Sequence, residues 1–344
     1  MFVIGYPSEL GGANTELWHT VKLWRRFGMD VTLVPTWRAD PAWKRRLEAI
    51  GCRTVESNPD DLQNVPGLKS GVVVSLCNTR FLAVAERFKE LGCRVIWLGC
   101  MNWLFPEERL LYRKMGPFDF HVFQSHYQRD QLAPQLRRFG WRDEQGAVIR
   151  GALDLDDFPF CPSTHRSGES LVIGRMSRPA ADKFPRDLWR QYARIESSLG
   201  TPLRARVLGW SKETAARLGD APRWAECLTS CAEPAAQFLG TLHAVVPGLG
   251  GAVENWPRFA LEAMASGVPL VLEKSGGAVE MIESGRTGWL CGAVEDMTAC
   301  VVRLERDEQQ RLRVAREARA AVERLADPAR LWREWREVVL QIAN

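Results

Sequence analysis

Short apolar runs rich in valine, isoleucine and phenylalanine alternate with stretches whose apolar residues recur at helical spacing. FVIGY (2–6), DVTLVPT (30–36), GVVVSL (71–76), RVIWLG (94–99), FDFHVFQS (118–125) and GAVIRGA (146–152) read as strands. TELWHTVKLWRRFG, PAWKRRLEAIG, RFLAVAERFKELG and YQRDQLAPQLRRFG read as helices between them. Such alternation predicts βαβ units and a parallel sheet. FPFCPSTHRSGES, residues 158–170, has no apolar period and is rich in proline and serine. The alternation then starts afresh with SLVIGRM, PLRARVLGW, HAVVPG and VPLVLE. The expected class is α/β, with two Rossmann-like, doubly wound parallel-sheet domains, 1–160 and 170–326, facing a cleft. Ligands in such sheets bind beyond the carboxyl ends of the strands.

The last segments are helical: a charged amphipathic stretch over 307–326, a break at Asp327–Pro328, then LWREWREVVLQI. Leu331, Trp335 and Val338 or Val339 fall on one face of that final helix.

Bulk properties narrow the field. The 344 residues suffice for two ordinary domains. Mean hydropathy is −0.22, and no apolar stretch approaches the ~20 residues needed to span a bilayer. The amino terminus lacks the basic start and long apolar core of a signal peptide. The nine cysteines are scattered, Cys227 and Cys231 alone being close and at a helical spacing. They read as reduced thiols of a cytoplasmic protein. Net charge is +4. Residues 1–165 carry 21 basic and 19 acidic side chains, and 166–344 carry 25 and 23, which argues against a nucleic-acid-binding domain. Clusters at Lys44–Arg46 and Arg137–Arg138 keep peripheral contact with an anionic membrane surface, or with a phosphate-bearing acceptor, open. Fourteen tryptophans are many for this length. Trp37, Trp103, Trp210 and Trp256 fall in expected loops, although core packing is the commoner role.

The most informative stretch is GAVENWPRFALEAMASGVPLVLEKSGGAVEMIESGRTGWL, residues 251–290, with Glu254 and Glu262 eight positions apart. Pro257 suits the first turn of a helix that FALEAMA continues and Gly267 stops. The amides of Arg258, Phe259 and Ala260 then open the helix, and free donors at a helix start bind anions. Carboxylates on either side would accept hydrogen bonds from hydroxyls. A nucleotide sugar offers an anion flanked by hydroxyls.

This stretch resembles the donor-site signature of the retaining GT-B glycosyltransferases (the group 1 family), through Gly276–Gly277, Glu280 and IESGRTGWL. The resemblance implies a hexosyltransferase-type enzyme that moves a sugar from a nucleoside diphosphate, with UDP-sugar the expected donor, to a hydroxyl acceptor with retention of configuration. It assigns Glu254 to the sugar hydroxyls and Glu262 to the ribose. Arg175 and Lys183 match the family's two diphosphate-binding cations, with Arg178 a further candidate. A sugar–phosphate bond loads charge onto its leaving group as it breaks, and fixed cations stabilise that charge. Gly11, Gly12 and Ala13 match a loop facing the donor diphosphate, and their spacing from Gly5 departs from a dinucleotide fingerprint. Where relatives have Gly-Phe-Gly, this chain has Asn255-Trp256-Pro257-Arg258-Phe259, so Trp256 is expected to narrow the sugar pocket. The base is expected near Gly209–Trp210 and Cys227–Thr229. The resemblance also implies a final helix, 327–344, crossing back to the N-terminal domain. It implies no metal and no cofactor beyond the co-substrate, and reads Asp154, Asp156 and Asp157 as a turn.

The resemblance makes the N-terminal domain the acceptor side. Many relatives carry a histidine after the strand RVIWLG, where this chain has Cys100-Met101-Asn102-Trp103. Asn78 and Asn102 end strands and are the acceptor candidates. The acceptor itself, a glycan, lipid, small molecule or modified DNA base, stays open. A module that binds a nucleotide or glycan without turnover is the rival reading.

Overall fold

Seven parallel strands make one sheet in the computed structural model: β1 (Phe2–Ile4), β2 (Thr32–Val34), β3 (Arg53–Thr54), β4 (Val72–Leu76), β5 (Arg94–Leu98), β6 (Phe120–Phe123) and β7 (Gly146–Val148). Their order in space is β3-β2-β1-β4-β5-β6-β7, so the winding reverses between β1 and β4. Phe2 pairs with Thr32 on one side and Val73 on the other. The structure describes residues 1–5, 11–36, 38–166 and 168–343. Residues 6–10 of the expected first loop and Trp37 lie outside them.

Helices cover both faces, which is why these strands read as continuous apolar runs. The expected helix after β4 is two short ones, Thr79–Leu82 and Ala85–Glu90. Val84, at φ −128° and ψ 10°, leaves helical geometry between them. The final helix, Pro328–Ala343, buries Leu331, Trp335, Val338 and Ile342 in the cluster that holds Trp24, Leu33 and Val74. Trp24 and Trp335 meet edge to face, with ring centroids 4.9 Å apart. Val339 is only partly buried.

The chain divides into two compact units. Residues 13–152 and 327–343 belong with β1 in the first, and residues 153–326 form the second, with which Gly11 and Gly12 cluster. Leu153 and Phe158 already lie in the second unit's core. Arg319 Nη1 fixes that stretch by donating to the carbonyls of Phe158, at 3.1 Å, and Ala265, at 2.9 Å. The handover thus precedes the Pro/Ser-rich segment that marks the break in the sequence.

The second unit repeats the winding. Strands β8 (Leu171–Met176), β9 (Leu203–Leu208), β10 (Ala225–Leu228) and β11 (Ala244–Val245) lie in the order β10-β9-β8-β11. A parallel bridge from Val245 to Leu270 leads to the pair β12 (Val271–Glu273) and β13 (Trp289–Cys291). The reversal falls between β8 and β11. Cys227 lies in β10, so the helical spacing of Cys227 and Cys231 corresponds to a strand and the turn after it. Among the described residues, no helix is long and apolar enough to cross a membrane.

Candidate functional site

The reversal between β8 and β11 opens a pocket at their carboxyl ends, as doubly wound topology requires. Its empty volume is about 580 Å³, counting the space open to solvent, and its walls include Arg175, Ser177, Lys183, Glu254, Phe259 and Glu273.

Arg175 comes from β8 itself. Its side chain is buried, and burial lowers its pKa to about 10, which leaves it charged at neutral pH. Nη1 donates to the carbonyl of Pro247 at 2.9 Å and Nη2 to that of Lys183 at 2.8 Å. The guanidinium lies 3.9 Å from the centroid of the Phe184 ring. Arg175 therefore ties the turn carrying Lys183 to the loop after β11.

Lys183 ends a short 3₁₀ turn, Ala181–Lys183. Its Nζ stands 2.6 Å from Glu254 Oε1, with the side chains 18% and 34% exposed. Asp182 accepts the amide of Ala252 through its carbonyl at 3.1 Å, pinning this turn to the approach to Glu254. On the far side, Gly277 donates its amide to the carbonyl of Glu254 at 2.9 Å. A Cβ on Gly277 would lie 1.6 Å from the Asn255 carbonyl oxygen, and one on Gly276 2.1 Å from that of Glu254. Only bare backbone fits here.

The following helix runs Arg258–Ser266, with Pro257 as its N-cap and Gly267, at φ 82°, as its C-cap. Of the expected anion-binding amides, that of Ala260 donates to the Pro257 carbonyl at 3.0 Å. Phe259 is on the pocket wall. Arg258 is 8% exposed and Glu262 5%, one helical turn apart. Burial raises the Glu262 carboxyl to about 7, and the charge of Arg258 moderates the rise. Trp256 is 2% exposed and packs in the core with Leu261 and Met264. Its ring belongs to the core rather than to the pocket wall where the sequence suggested it.

Two features beside the pocket escaped the sequence reading. Glu273 Oε2 accepts the Gly250 amide at 2.9 Å. Gln191 clasps Leu249 through both backbone groups, each at 2.8 Å. Both hold the glycine-rich loop 248–251. The two segments expected near the base do meet: Gly209 and Trp210 donate their amides to the Leu228 carbonyl at 2.9 and 2.8 Å.

The remaining candidates are not among the residues lining this pocket. Gly11, at φ 90°, immediately precedes the helix Gly12–Arg26. Asn78 caps the helix after β4 by accepting the amides of Arg80 and Phe81, and its Nδ2 donates to Thr36 Oγ1 at 3.2 Å. Asn102 is half-buried in the loop after β5. Arg178, at 3.4 Å from Asp182, is exposed. Asp154 accepts the Asp156 amide at 3.3 Å and caps a 3₁₀ turn. His121 is buried against Tyr112, 3.1 Å from its hydroxyl.

Residues 240–321 match the family described as glycosyl transferases group 1. The amylovoran biosynthesis glycosyltransferase AmsK of Erwinia amylovora is 33% identical over 95 residues, which are 27% of this chain and 23% of that protein. Solved structures resemble the whole chain. Anabaena Alr3699/HepE in complex with UDP-glucose aligns with a TM-score of 0.74 at 18% identity over 99% of both chains. Sucrose-phosphate synthase from Thermosynechococcus elongatus aligns at 0.72 and 14%, again over 99% of both. The fold is that of the GT-B glycosyltransferases.

Proposed function

We propose that the protein transfers a sugar from a nucleoside-diphosphate sugar to a hydroxyl acceptor, with the donor seated in the pocket between β8 and β11. The observation that carries this reading is the meeting of Lys183 and Glu254 beside the start of the helix Arg258–Ser266. A cation and a helix start suit a diphosphate, and an adjacent carboxylate suits sugar hydroxyls. Glu254, Phe259 and Glu262 all fall within the stretch that matches the family. The UDP-glucose complex of the Anabaena protein supports a UDP-sugar as donor. The base then lies against 209–210 and 227–229, and the ribose against Glu262.

In the reaction the bond from the anomeric carbon to the diphosphate oxygen breaks, and a bond to the acceptor oxygen forms on the same face. The acceptor's proton passes to the departing diphosphate. Lys183 meets the charge that develops there, and Arg175 acts by holding the turn that presents it. Neutralisation by these groups gives the reading no metal ion and no cofactor beyond the donor.

The test is to incubate the protein with a panel of nucleotide sugars and follow donor consumption and nucleoside-diphosphate release by mass spectrometry. One donor should be consumed, and Glu254→Ala should slow its turnover by about a hundredfold, the usual scale for losing a group aimed at the reacting centre. Absence of turnover with every donor, or wild-type turnover by Glu254→Ala, would sink the reading. Nuclear magnetic resonance of the product's anomeric centre checks retention.

A further inference from the structure

The Lys183–Glu254 contact has a consequence for which phosphate compounds the pocket retains. The ammonium that would meet a diphosphate is matched by a carboxylate at 2.6 Å. Of the other charged side chains on this wall, Arg175 donates to two carbonyls and Glu273 accepts the Gly250 amide. An arriving diphosphate must take Lys183 from Glu254. Whether Glu254 is then satisfied depends on the group that the diphosphate carries. A sugar brings hydroxyl donors that Glu254 can accept in place of the ammonium. A bare nucleoside diphosphate brings none and leaves a carboxylate facing phosphate oxygens.

We infer that Glu254 is a specificity-determining residue that competes with the diphosphate for Lys183 and so disfavours the bare nucleotide relative to the sugar-bearing donor. This rests on the donor-site reading above. The discrimination works by a repulsive element, which a contact with the correct ligand silences. It also serves release, because the product is the donor stripped of its sugar.

The experiment is equilibrium titration at fixed ionic strength with uridine, guanosine, adenosine and cytidine diphosphates. The proteins are wild type, Glu254→Gln, Lys183→Met and the double variant. The expected result is that Glu254→Gln binds the accepted nucleoside diphosphate about fivefold tighter, the factor that loss of a partly exposed ion pair gives. It should bind the corresponding nucleotide sugar more weakly than wild type. In the Lys183→Met background the gain should shrink to what carboxylate–phosphate repulsion alone gives, since the two side chains act as a coupled pair. If wild type binds a nucleotide and Glu254→Gln binds it equally or more weakly, the inference is overturned and the donor-site reading survives. The same holds if the gain is undiminished without Lys183. If no protein binds any of the four nucleotides, the donor-site reading itself fails. Should Glu254→Gln melt far below wild type, Glu254→Ser carries the same comparison.

Discussion

Glu262 is held at 5% exposure on a helix whose first residue, Arg258, moderates the cost of its charge without cancelling it. Its carboxyl is raised to about 7, above the value of an unfolded chain, so the folded protein holds this proton more tightly. The stability it contributes is complete below the unfolded value near 4.5 and is lost as pH rises through about 7. Glu262→Gln fixes the neutral form. The variant should be more stable than wild type at pH 8, by about 3 kcal/mol at one pKa unit per 1.4 kcal/mol, with the difference shrinking towards pH 5. Nucleotide binding should weaken in the same variant if this side chain serves the ribose. Melting temperatures at the two pH values, beside a nucleotide titration, check both halves. Equal melting curves at pH 8 would mean that burial does not tax this carboxylate. The two glutamates could be singled out because their spacing survives in a linear string. The partner of Glu254 could not be read that way: Lys183 and Glu254 are 71 positions apart, and no local pattern encodes that meeting. Trp256 misled for a related reason. A tryptophan in a loop reads alike whether its ring faces a ligand or the core.

At the scale of elements, the strands and most helices followed from apolar period, whereas the failures came where the period was short or mixed. β10 carries half-buried residues throughout, so it lacks the apolar run by which its neighbours announce themselves. The segment 79–92 has enough apolar residues for one helix but splits at Val84. The loops that shape the pocket depend on close approach of backbone to backbone, and glycine records this only as a letter. Gly277 is the sharpest case. Gly277→Ala would drive a methyl into the Asn255 carbonyl and displace the backbone that carries Glu254. The expected outcome is loss of donor turnover by more than tenfold with far-ultraviolet circular dichroism unchanged. Full activity would show that this loop can move aside, contrary to the contact geometry.

For the molecule as a whole, the doubled alternation of strands and helices made two parallel sheets legible, and the reversal points then followed from topology. The place where the chain passes from one unit to the other was less so, because Leu153 and Phe158 are assigned by packing rather than by composition. The final helix supplies a test of how the first unit is held together. Trp335 is 1% exposed and meets Trp24 edge to face. Trp335→Ala should cost about 3–5 kcal/mol, as large-to-small core substitutions do. Hydrogen exchange should quicken at the amides of β4 and leave those of β8 unaffected. Unchanged protection in β4 would show that the helix contributes little to the first unit.

The return of residues 328–343 to the first unit also sets an order of events during synthesis. The ribosome delivers β1 to β7 first, then all of 153–326, and only afterwards the helix that covers Trp24. Domains generally fold as the chain emerges, so the second unit, whose segment is nearly continuous, is complete while the first still shows an apolar face to its surroundings. Of the two units, the one begun first is the one finished last.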